Sequence, residues 1–156
     1  MARVLIVGCG CRGRALAREL RAAGHTVRGT TRDPARLPEI EAAGAQPVVA
    51  DPDRLGTLVV QLEEVSVVCW LMGSAGAADL HGPRLCTFLE HLVDTPVRGV
   101  VYEAVGTADA QLLARGAAAV RQASATWSIP AEVVEADPAD HEAWLITMSG
   151  AVRRLL

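Results

Sequence analysis

The feature that most constrains this chain is the passage from a short apolar run, Arg3 to Val7, through Gly8-Cys9-Gly10-Cys11-Arg12-Gly13 and straight into a helical pattern. The apolar run is short enough to be a buried strand. In the following segment Leu16 and Leu20 share one helical face, while Arg14, Arg18 and Arg21 are expected to point to solvent. Gly24 ends that helix. A strand, a three-glycine turn and a helix within one 24-residue stretch call for a sheet with helices packed over it.

The rest of the chain repeats the alternation. Thr26 to Thr30 reads as a second strand, followed by Asp33 as an N-cap and Pro34 as the first helical residue. A short helix through Ala43, closed by Gly44, leads to a third strand at Gln46 to Ala50. A polar helix from Arg54 to Glu63 precedes a fourth strand, Val65 to Met72, whose continuous β-branched start suits burial on both faces. Leu85, Phe88, Leu89 and Leu92 mark the fourth helix by their i, i+3, i+4, i+7 spacing, and Val97 to Tyr102 the fifth strand. A fifth helix is expected to carry Leu112, Gly116, Ala119, Ala123 and Trp127 on its inner stripe. A sixth strand, Ala131 to Glu135, and a helix from Ala139 bearing Leu145, Met148, Val152 and Leu155 complete the pattern. The expectation is α/β: a single doubly wound Rossmann fold over residues 1–156, with a parallel sheet of about six strands and helices on both faces.

Composition narrows the partners. With 51% hydrophobic and 21% charged residues the chain is built to bury a core, and a net charge of −3 provides no basic field for phosphate backbones or anionic lipid. Nucleic acid and membrane are poor partners for it. No targeting segment is read at the start, and no apolar run approaches the roughly 18 residues of a spanning helix, so a cytoplasmic location is expected. The four cysteines form no disulfide framework or paired zinc motif, and they read as reduced thiols. All 15 basic residues are arginine, so no lysine is available for catalysis.

The glycine loop carries the clearest chemistry. Gly8 permits the tight turn, Gly10 lets backbone approach a pyrophosphate without a Cβ in the way, and Gly13 lets the helix pack closely on the strand. Cys11, Arg12 and Gly13 open the helix, where free amide donors and the positive end of the dipole favour an anion. A glycine-rich turn with no ligand has the same look. The end of the second strand, about 20 residues further on, selects among dinucleotides. An NAD(H) site usually places a carboxylate there for the ribose 2′-hydroxyl. This chain has Arg28-Gly29-Thr30-Thr31-Arg32, with no carboxylate before Asp33. Arg32 can fork onto a 2′-phosphate, with Thr30, Thr31 or Arg12 as further donors, which favours NADP(H) over NAD(H). The alternative for Arg32 is a solvated arginine ahead of a helix.

Residues Val4 to Leu37, VLIVGCGCRGRALARELRAAGHTVRGTTRDPARL, resemble the opening of the atypical and extended short-chain dehydrogenase/reductases, especially the epimerase-like and NmrA-like NAD(P)-binding proteins. The resemblance runs on more loosely through Val48 to Asp51, Trp70 to Gly73 and Val100 to Tyr102. It implies that Asp51 contacts the adenine amino group and that Gly73 lies in the cofactor site. Asp51 before Pro52 is equally a good turn residue.

The chain also departs from that family. Active members use a Tyr-xxx-Lys pair as their proton donor. Here Tyr102 is the only tyrosine, Gly106 stands four residues on, and the long C-terminal segment that builds a substrate pocket is missing. Tyr102 and Glu103 are left as candidates for lining a pocket at the sheet's C-terminal edge. Cys11, at a helix start, is a candidate for oxidation or simply small enough for the loop. The acidic stretch Asp137 to Trp144 reads as a helix start with Asp140 as N-cap, and Trp127 and Trp144 as core or interface aromatics. Two functions stay open. One is a non-catalytic NADP(H)-binding module that senses redox state or serves a protein partner. The other is a minimal NADPH-dependent reductase of a flavin or quinone, its acceptor held around Gly73, Ser74 and Tyr102 and completed by a second subunit in a homo-oligomer.

Overall fold

The computed structural model describes residues 1–156. Six parallel strands form one sheet in the order β3-β2-β1-β4-β5-β6. They are β1 (Arg3–Val7), β2 (Thr26–Thr31), β3 (Gln46–Val49), β4 (Val67–Trp70), β5 (Gly99–Glu103) and β6 (Ala131–Val134). The strand order reverses between β1 and β4, so a crevice opens there at the strands' C-terminal ends.

Alternation along the strands divides the core in two. Val4 and Ile6 of β1 face α1 (Cys11–Ala22), α2 (Leu37–Ala42) and α6 (His141–Leu155), whereas Leu5 and Val7 face α3 (Leu55–Val59), α4 (Pro83–His91) and α5 (Ala110–Trp127). Both faces of the sheet are covered, as a parallel sheet requires. Asp33 accepts a hydrogen bond from the Ala35 amide and Asp140 one from Ala143, so both act as the caps their positions predict.

Several details differ from expectation. The helix foreseen at Arg54–Glu63 is a single turn of α3 followed by a 3-10 turn, Val60–Leu62. A further 3-10 turn at Ala78–His81, with Leu80 and His81 buried, has no periodic signal in the sequence. Arg14 does not point to solvent: its side chain is 18% exposed and pairs with Glu39 at 3.2 Å.

The inner stripe of α5 is also rotated. Leu113, Gly116, Ala117, Val120 and Ala123 are buried in place of the stripe that began at Leu112. Gly116 sets this rotation, because α5 passes so close to β5 that a Cβ at residue 116 would overlap the Tyr102 hydroxyl. Leu113 and Val120, three residues before it and four after, then flank the contact on the same face.

The thiols separate into two classes. Cys9 and Cys69 are buried, and burial pushes them up to about 11 and about 12, with Arg14 opposing the shift at Cys9. Cys11 and Cys86 are exposed. Native protein should therefore react with a maleimide at two sites, Cys11 and Cys86, and with all four thiols in denaturant. Mass spectrometry of the labelled protein checks this; labelling of Cys69 in the native state would contradict the packing.

Candidate functional site

The loop between β1 and α1 is held against the end of β2. The Gly8 amide donates to Thr30 Oγ1 at 3.2 Å and the Cys9 amide to the Thr30 carbonyl at 2.9 Å. Gly8 takes a φ of +83°, and a Cβ there would meet the Leu71 carbonyl oxygen at 2.7 Å, so both turn and close approach demand glycine. Gly13 is buried, its Cα facing the Gly8 carbonyl and the Ile6 side chain. Gly10 is the N-cap of α1 with open space over its Cα. No side chain caps α1, so its first amides stay available to an anion.

Over this loop lies a cavity of about 790 Å³, within the usual range for ligand sites. Gly8, Gly10 and Cys11 form its floor, Thr30, Thr31 and Arg32 its wall from β2, and Ala50 and Pro52 its wall from the end of β3. Met72, Ala75 and Leu80 close it from the segment after β4. Three arginines reach it: Arg14, Arg32 and Arg36. Arg14 and Arg36 both pair with Glu39, at 3.2 and 3.4 Å, whereas Arg32 takes part in no ion pair. Asp33 also lines the cavity, but its carboxylate caps Ala35 and lies 4.0 Å from Arg36.

Four of the residues foreseen for the site lie outside this cavity. Gly13 packs beneath it. Asp51 uses Oδ1 to accept from the Asp53 amide at 2.9 Å, a local turn at the cavity's edge between the two lining residues Ala50 and Pro52. Arg12 turns away from β2 to Glu103, with contacts of 3.1 to 3.3 Å from Nε and Nη2 to both carboxylate oxygens. Gly73 lies against the same carboxylate, its amide donating to Glu103 Oε1 at 2.8 Å.

Glu103 is therefore the centre of a clasp. Its carboxylate, 1% exposed, also accepts from Trp144 Nε1 at 3.1 Å, and the Arg12 guanidinium lies over the Trp144 ring. Tyr102 is buried too. Its hydroxyl meets His81 Nδ1 at 2.7 Å while His81 Nε2 meets the Ala75 carbonyl at 3.0 Å. Since that carbonyl can only accept, Nε2 carries the proton and the tyrosine donates to Nδ1. Burial, with the nearby Glu103 charge, raises the phenol above its ordinary range. The pocket-lining role foreseen for Tyr102 and Glu103 does not hold, because both are enclosed.

Sequence reasoning missed Arg14 and Arg36 in the cavity. Spacing was the available signal: each lies four residues after a residue of the site, Gly10 and Arg32, and so about one helical turn further on.

Comparison with known proteins agrees with this geometry. The family model described as NAD(P)H-binding matches residues 8–109. No curated protein matches the chain. Among solved structures, a putative NAD-dependent epimerase/dehydratase from Bacillus halodurans is 21% identical, with a TM-score of 0.67 over 88% of this chain and 71% of that one. A UDP-glucuronic acid 4-epimerase variant from Bacillus cereus, solved with NAD, is 14% identical, with a TM-score of 0.65 over 84% of this chain. Triphenylmethane reductase from Citrobacter sp., solved with NADP(H), is 15% identical, with a TM-score of 0.63 over 83% of this chain. The match spans only 55% of the second structure and 48% of the third. At these identities the likeness is one of fold.

Proposed function

The chain belongs to the NAD(P)H-binding family, and from that premise we propose that it is a non-catalytic module selective for NADP(H). The observation that carries the choice of cofactor is Arg32, unpaired at the wall of the cavity where β2 ends. The pyrophosphate lies on the amides of Cys11, Arg12 and Gly13, and Arg32 forks onto the 2′-phosphate with Thr31 beside it. Asp33, the nearest carboxylate, is committed to its cap.

The absence of catalysis follows from the proton donor. The family's chemistry requires a tyrosine made acidic by a lysine. This chain has no lysine, and its tyrosine is buried, held by His81 and shifted the other way.

Arg32→Ala should weaken NADPH binding about 10–100-fold, the usual worth of a charge-assisted contact, and leave NADH binding unchanged. Titration calorimetry with both cofactors measures it. Equal affinities for NADH and NADPH in the unmodified protein would refute the 2′-phosphate reading. Sustained NADPH oxidation with a flavin or quinone would make the chain a reductase.

A further inference from the structure

A doubly wound sheet offers a dinucleotide two half-sites, one over β1–β3 and one over β4–β6. In this molecule only the first is open. Every residue lining the cavity belongs to the segments from β1 to the turn after β4, and none to β5, β6 or α6. Over β4 and β5 the space is filled by the clasp. Gly73 is so closely covered that a methyl group there would lie 2.6 Å from Glu103 Oε1 and 2.7 Å from the Val105 carbonyl. The Ala108 amide ties the segment after β5 down onto the Gly73 carbonyl at 2.9 Å. Arg12 crosses from the start of α1 to Glu103 and, with Trp144 beneath it, seals the boundary between the halves.

Opening the second half would strip a buried carboxylate of the three groups that donate to it, Arg12, Gly73 and Trp144. We infer that this site reads only the 2′-phosphorylated ADP half of its ligand, leaving the nicotinamide ribose and ring in water. The inference rests on the nucleotide site proposed above and narrows its ligand class. Oxidised and reduced cofactor then bind alike, because the only part in which they differ touches nothing. A nucleotide that lacks the nicotinamide altogether is an equal ligand.

Calorimetry on the unmodified protein with 2′-phospho-ADP-ribose, NADP+, NADPH and nicotinamide mononucleotide tests it. The first three should bind within fivefold of one another, and the mononucleotide should give no heat at millimolar concentration. NADPH emission should keep the wavelength it has in water. A dinucleotide that binds more than fivefold tighter than 2′-phospho-ADP-ribose, or a blue shift of bound NADPH, overturns the half-site while leaving the NADP(H) site standing. If none of the four ligands binds, the nucleotide site itself is wrong and the half-site falls with it.

Discussion

Glu103→Ala should destabilise the fold by about 2–4 kcal/mol, the cost of leaving two buried donors, the Gly73 amide and Trp144 Nε1, without an acceptor. Arg12 adds less than its three contacts suggest. Its side chain is 29% exposed and can take up water once released, so the ion pair is discounted for solvent screening. In a chain of this length such a loss lowers Tm by roughly 10 °C. Glu103→Gln keeps an acceptor oxygen and should lose about half as much. Thermal and urea unfolding of both variants decide the matter. A loss below about 1 kcal/mol for Glu103→Ala would mean that the clasp is a meeting of neighbours and not a restraint.

Gly116→Ala should also destabilise, by about 2–3 kcal/mol, although glycine to alanine inside a helix ordinarily stabilises by about 1 kcal/mol. The sign reverses because the added methyl would take the place of the Tyr102 ring end, which cannot retreat while its hydroxyl is fixed to His81. Tyr102→Leu removes the obstructing atoms. In that background the cost of Gly116→Ala should largely vanish, giving a strongly non-additive double-mutant cycle. Additive losses would show that α5 is held close to β5 by something other than this contact.

The sequence and the structure agree where local rules act alone. Strand alternation, the Asp33-Pro34 and Asp140 starts and the glycine loop all depend on neighbours in the chain, and they lie where their chemistry puts them. The strand order follows from right-handed crossovers.

Disagreements arise where distant segments meet. Arg12 has every local reason to serve a phosphate, but its partner Glu103 is 91 residues away, and no periodicity announces such a pairing. Arg14 reads as solvent-facing until Glu39 is brought beside it. In α5 the hydrophobic pattern admits two adjacent stripes, and Tyr102 on another element selects one. Tyr102 and Glu103 sit at the strand end where ligands gather in such folds, yet here both are spent on internal contacts.

The placement of α6 bears on how the molecule comes together. Trp144, Met148 and Val152 share one core with Leu16 and Leu20 of α1, so one side of the sheet is finished only when residues more than 120 positions apart meet. A chain closing so long a loop pays its entropy before most of the reward arrives. Relative to helical bundles of equal size, folding should be slow, and the half-covered sheet should be the species most exposed to self-association along the way.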